Sequence, residues 1–399
     1  MHGSYRFRVN KINRLFIIFF SFFLSSLSGI VLMDFLGFPF KAVEVLLLIF
    51  LFYHRKRIFL PIMVQMQFII IGLLLYGLGM FWHDSELGEL LSSLRYYFFF
   101  VIGFMLFRYS DLLSMKDIAW CAFFTTVFEL LAGLVLINKI QNLNSINEDI
   151  PMVNNANFIL IGILISCSLL VKSKIQMLVL LCIALTASFL SITRGILLYA
   201  IVALIFSFFA LCTIYKSYFK LLFIFVFLFL IGIFAYNNLE DEILQTSPSM
   251  HHRLYTKVDP SNNDGSGDQT RIYHLMYILK HPGQSLIPHG FPVWKGLPRF
   301  KKTNWTQSSI SDCSLAALVY TFGFFVFILI YKYLRIFFRY WCLFLRNKET
   351  ELYMLLIVLS LFPLYFVFGY GLIEDVSKVF SCGMVLGVVK RKLYIYSNK

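Results

Sequence analysis

Runs of about twenty apolar residues, separated by short polar or basic segments, recur along most of this 399-residue chain. A run of that length is what an α-helix needs to cross a hydrocarbon layer of ~30 Å. Lipid offers no partner to backbone N–H and C=O groups, so spanning runs of this kind have to be helical. Apolar residues make up 59% of the chain and charged residues only 14%, more apolar surface than a soluble domain needs. The expected fold is an all-α polytopic membrane protein.

About twelve transmembrane helices are expected. The first nine are Leu15–Met33, Phe35–Tyr53, Leu60–Trp82, Leu94–Phe107, Ile118–Ile137, Asn155–Val171, Ile175–Ile192, Gly195–Tyr215 and Leu221–Tyr236. Three more follow a polar interval: Ile310–Tyr331, Tyr353–Tyr370 and Val376–Val389. The chain thus divides into 1–236, a large loop or lid at 237–308 that contains short helices, and 309–399. With both termini cytoplasmic, 22 of the 35 lysines and arginines fall in inner segments, five in short outer loops and span ends, and eight in the long loop. Long loops are largely exempt from the positive-inside rule, so the count puts the loop on the outer face. The net charge of +14 is spread in clusters between apolar runs, which points to anionic lipid and away from nucleic acid. The seven cysteines show no CxxC spacing, and no disulfide framework, metal site or cofactor is expected.

The long loop holds five of the eight histidines, His251, His252, His274, His281 and His289, together with Arg253, Arg271 and Arg299. Asn262-x-Asp264-x-Ser266-Gly267 has part of a calcium-loop pattern, but Tyr273 stands where the closing acid belongs. Asp268 is placed to cap a helix running to about Lys280 and stopped by Pro282. The prolines and glycines from Pro282 to Pro298 then exclude regular structure.

Several residues are placed to do chemistry. Arg194, in Ser191-Ile-Thr-Arg-Gly195, falls at a tight outer turn between two spans. With Ser191 and Thr193 beside it, its guanidinium suits a phosphate or pyrophosphate, or else it reaches to lipid headgroups. Arg253 and Arg271 are further anion-binding candidates or ordinary loop charges. His281-Pro-Gly and Pro288-His-Gly-Phe291 carry imidazoles suited to proton transfer near neutral pH. Asp312 opens the tenth span, either as a base or as a helix cap. Arg95 is a cavity contact or an interface anchor, and Trp294 offers a ring for stacking on a sugar. Glu129 falls mid-span, where an acid is costly and a functional candidate. Lys41 and Glu44, three apart, are expected to neutralise each other.

The order of these motifs resembles the O-antigen polymerase (Wzy) and O-antigen ligase superfamily of bacterial envelope glycosyltransferases. Ser191 to Gly195 is similar to the Ser-x-Ser/Thr-Arg-Gly that opens a span before the large periplasmic loop of that family. Thr270-Arg271, His281-Pro282 and Pro288-His-Gly-Phe291 resemble the arginine, His-Pro and Gly-x-Gly-Phe series within that loop, although Pro288 or His289 stands where the last motif has its second glycine. Ser311-Asp312 and Tyr320-Thr-Phe-Gly323 are similar to the start of the next span. The likeness covers roughly residues 188 to 338.

The resemblance implies a polymerase at the periplasmic face of the bacterial inner membrane. It would join glycan repeat units carried on undecaprenyl pyrophosphate, with a chain-length regulator as a further partner. Arg194 and Arg271 would hold the departing pyrophosphate, and His281, His289 or Asp312 would take the acceptor proton. The alternatives are a ligase moving finished chains to lipid A-core and, from the span count and Glu129, a polysaccharide flippase. Ligases place a histidine where this chain has Asp312, which favours the polymerase.

Overall fold

A computed structural model describes residues 31–35, 38–53, 62–83, 87–109, 115–141, 157–168, 174–190, 194–215, 267–291, 314–368 and 376–397, with isolated positions between 18 and 24 and between 222 and 238. Within them the chain is almost entirely helical. The helices are α1 (Ala42–Tyr53), α2 (Ile62–His83), α3 (Leu87–Tyr109), α4 (Met115–Gln141), α5 (Phe158–Ser168), α6 (Lys174–Leu190) and α7 (Arg194–Tyr215). After the polar interval come α8 (Gly267–Lys280), the single turn α9 (Pro282–Ser285), α10 (Ser314–Phe322), α11 (Phe325–Asn347), α12 (Thr350–Phe368) and α13 (Val376–Ser397).

Three expectations need correction. The second span is helical only from Ala42. Before it, β1 (Val31–Phe35) and β2 (Phe38–Lys41) form an antiparallel hairpin in which Phe35 pairs with Phe38. Pro39 lies in β2, and the residue before a proline avoids helical torsions. The tenth span is not one helix but two, interrupted at Gly323 and Phe324. The proline-rich segment is not wholly irregular, because Pro282 begins a helical turn, a position where its missing N–H costs nothing.

Among the described residues, Met63–Trp82 in α2 is the one stretch whose length and composition suffice to cross a membrane. It is apolar, yet only 17% of it is buried. α3 and α4 are long enough but carry Glu89, Arg95, Lys116, Asp117 and Glu129. α5, at 11 residues, spans only about 17 Å.

The core is built around α5, α12 and α13, whose side chains are buried on nearly all sides. An apolar helix without a polar face has to be covered by neighbours or by lipid. α13 lies parallel to α3, and glycines let the two backbones touch. A Cβ on Gly383 would fall 2.2 Å from the Phe100 carbonyl oxygen, and one on Gly387 2.5 Å from that of Phe104. Gly103 of α3 meets the Phe380 carbonyl in the same way, at 2.6 Å. Gly383-x-x-x-Gly387 is the small-residue spacing that brings membrane helices together. α2 runs antiparallel to α3, with Phe68 against Phe104 and Gly72 against Tyr97.

Polar side chains tie the ends of this core. Asn157 donates through Nδ2 to Ser377 Oγ and Ser381 Oγ, 2.9 Å each, and Ser377 donates onward to the Leu24 carbonyl. At the far end of α5, Cys167 meets Met354 of α12 at 3.8 Å. Gly162 abuts Tyr199 of α7, and the Tyr353 hydroxyl donates to the Ser207 carbonyl at 2.5 Å. These contacts make α5, α7 and α13 run one way and α12 the other.

Candidate functional site

Eleven residues after α8, from His281 to Phe291, fold back against α2 and the α10–α11 junction. The reason is local. α10 ends with Gly323 in the left-handed region, φ +56°, so the carbonyls of its last turn lack helical partners. The returning segment supplies them. His289 N–H donates to the Tyr320 carbonyl and Gly290 N–H to that of Thr321, both at 3.1 Å. In exchange, Phe324 N–H donates to the Leu286 carbonyl at 2.8 Å. On the other side, Phe291 N–H donates to the Leu75 carbonyl of α2 at 3.2 Å.

Only glycine permits this approach. A Cβ on Gly79 would lie 1.5 Å from the Phe291 carbonyl oxygen. One on Gly290, whose φ is +71°, would lie 2.2 Å from the Leu75 oxygen, and one on Gly323 2.4 Å from the Leu286 oxygen. Irregular backbone is thereby wedged between two helices with its amides satisfied.

The wedge carries the His289 ring with it. That imidazole stacks on Tyr320, centroids 4.0 Å apart and planes 10° from parallel, and has Trp82 at 5.2 Å. It is buried, at 8% exposed. Burial pushes its pKa below the usual range, and the Tyr320 and Ile287 carbonyls push part of the way back. His274 in α8 is buried and burial pushes it down to about 4, so at neutral pH its ring is uncharged. His281 is exposed, 4.7 Å from the Tyr277 ring, whose hydroxyl is 3.3 Å from Gln284 Oε1. Tyr277 also packs against the cluster of Leu75, Leu90, Phe291 and Tyr320. The result is a neutral imidazole between Tyr320 and Trp82, with Tyr277 packed against the same aromatic cluster. Such a nest can accept a proton from a hydroxyl and present ring faces to a sugar.

The other expected site residues fall as follows. Arg194 begins α7 and Arg271 lies in the second turn of α8, but their side chains lie outside the described residues. Ser191, Thr193, Arg253, Trp294 and Asp312 also lie outside them. Arg95 is buried, and its Nε is 2.5 Å from Glu44 Oε1. Glu44 also takes the Lys41 backbone amide at 2.8 Å, so it meets both the Arg95 guanidinium and the Lys41 backbone. Glu129 is buried with Thr125, Thr126, Asn157 and Ala187 around a cleft too narrow for a water molecule. Among the described residues no three metal-ligating side chains gather.

Sequence reasoning missed Trp82 and Tyr277 as site residues and treated Tyr320 only as part of a motif. Nothing local marks them, because their role comes from where the 281–291 segment lands.

No protein-family model, no curated protein and no solved structure matches this chain.

Proposed function

We propose that this chain is a polytopic membrane glycosyltransferase of the polymerase kind, joining glycans carried on polyprenyl pyrophosphate at the outer face of a bacterial inner membrane. In this reading about twelve helices cross the bilayer, and both termini are cytoplasmic. The observation that carries it is the Pro288–Phe291 turn, wedged between α2 and α10 with a neutral His289 on an aromatic shelf. A base held uncharged at neutral pH is ready to take the acceptor hydroxyl proton. Arg194 and Arg271 would hold the departing diphosphate, whose charge needs cations rather than a metal.

Membrane embedding is supported by the exposure of the apolar α2 and by the glycine-packed pair α3 and α13. The helix directions also agree with it. α3, α5, α7 and α13 correspond to even-numbered spans and run one way, while α2 and α12 correspond to odd-numbered spans and run the other. Alternating crossings require that arrangement. A flippase would be expected to break helices in symmetric pairs. The break at Gly323 is instead filled by the loop segment.

A ligase is the second reading, favoured by the buried His289, which stands in for the histidine that ligases place where this chain has Asp312. A deletion strain complemented with His289→Gln, Arg194→Ala or Arg271→Ala tests both. The polymerase reading expects the lipopolysaccharide ladder to collapse to a single attached repeat. A ligase would leave no repeat attached, and a full ladder with all three variants would remove the proposed machinery.

A further inference from the structure

Where α3 ends against α13, five cations gather from three helices. Arg108 ends α3, Lys332, Arg335 and Arg339 lie on α11, and Lys390 lies on α13. Arg108 rests on the rings of Phe104 and Tyr109, at 5.6 and 5.0 Å. Lys390 is half-buried, and burial, then Arg108, Arg339, Arg335 and Lys332, all lower its pKa. None of Lys332, Arg335, Arg339 or Lys390 pairs with a carboxylate among the described residues. The acids at the α11–α12 turn are already engaged: Glu351 by Lys392 at 2.6 Å, and Glu349 by the Tyr396 hydroxyl. Like charges gathered without a counter-charge repel one another, and an added anion relieves this.

α11 shows what kind of anion fits. Its residues divide into three stripes at helical spacing. Tyr333, Phe337, Tyr340 and Phe344 face the core. Lys332, Arg335, Arg339 and Arg346 form an exposed basic stripe. Tyr331, Leu334, Phe338, Trp341 and Leu345 form an exposed apolar stripe, between 42% and 64% accessible and offset by one residue from the basic stripe. A free phosphate would use only the cations. A molecule with an anionic head and hydrocarbon chains would use both exposed stripes.

We infer that Arg108, Lys332, Arg335, Arg339 and Lys390 form a binding site for the headgroup of an anionic phospholipid, whose acyl chains lie along the apolar stripe of α11. The site draws on the membrane part of the proposed function and is independent of its chemistry. Whether detergent is needed to extract the protein from cell membranes tests that part on its own.

The test is lipid retention by the full chain purified in neutral detergent. Phosphatidylglycerol, phosphatidylcholine or inorganic phosphate is titrated in, and bound molecules are counted by native mass spectrometry. The wild type is expected to keep phosphatidylglycerol in preference to phosphatidylcholine and to take up no inorganic phosphate. Arg335→Gln with Arg339→Gln, both exposed and so tolerable to the fold, should weaken phosphatidylglycerol retention by about thirtyfold. Lys280→Gln with Lys348→Gln removes the same charge from exposed positions outside the cluster and the stripe and should leave retention unchanged. Equal losses in the two pairs, no loss in either, or binding of inorganic phosphate as tight as that of the lipid would each overturn the site.

Discussion

Glycine joins backbone to backbone in two regions of this molecule, with different results. Between α3 and α13, Gly103, Gly383 and Gly387 let two regular helices approach, each with its own hydrogen bonds complete. Around the 281–291 segment, Gly79, Gly290 and Gly323 admit a non-helical strand whose amides complete the end of α10. The first contact gains packing alone. The second also places a side chain, because the His289 N–H bound to the Tyr320 carbonyl sets the backbone beside the ring on which the imidazole stacks. Regular packing makes scaffold here, and filling a broken helix makes a site.

The contrast can be broken most forcefully at the scaffold. Gly383→Val with Gly387→Val should destabilise the protein by about 4 kcal/mol, since backbone oxygens 2.2 and 2.5 Å away cannot yield as side chains do. Thermal unfolding in detergent, or loss of folded protein from membranes, reads this out.

Acid should separate the two regions next. His274 titrates near 4 in the folded chain against 6.5 ordinarily, so between those values the unfolded chain binds the extra proton. Stability is therefore whole above pH 6.5 and falls as pH drops toward 4, by on the order of 3 kcal/mol. Limited proteolysis at descending pH should show α8 and its neighbours loosening, and His274→Phe should flatten the dependence. A wild-type profile without slope in that window would contradict the neutral buried imidazole.

Gly290→Ala is expected to cost about 2 kcal/mol, from strain at a positive φ and the clash with Leu75, while leaving the helix pair intact. On the proposed polymerase reading, the lipopolysaccharide ladder should suffer more than the amount of folded protein does. The smallest effect sharpens the argument from the other side. Gly77, on α2 beside Gly79, has nothing within 4 Å of an added Cβ, so Gly77→Ala should stabilise by about 0.5–1 kcal/mol. If Gly79→Ala behaves in the same melt as Gly77→Ala does, the loop does not touch α2.

Much of the helical layout could be read from hydropathy. The apolar run Gly195–Tyr215 is observed as a helix over Arg194–Tyr215, and the helix expected from Asp268 to about Lys280 as Gly267–Lys280. Punctuation was harder to read where two local signals compete. Pro39 converts the head of an apolar run into a strand, and Gly323 splits a run that hydropathy shows as continuous. The histidines of the candidate site were legible as residue types in turn motifs. Their surroundings were not, because Trp82 lies about two hundred residues from His289 and only the docking of Phe291 on Leu75 brings them together. Arg95 shows the opposite case, since its charge pointed to a ligand and tertiary packing gave it Glu44.

The partner of α3 is α13, more than 250 residues further along. At ordinary synthesis speeds of about 5–20 residues per second, the groove along Phe100 and Phe104 stands open for tens of seconds before its cover is made. During that interval any small-faced helix nearby is a competitor, and a nascent chain released before residue 376 leaves the groove uncovered for good. Quality control in the cell could therefore tell a finished copy from a broken one by whether that seam has shut.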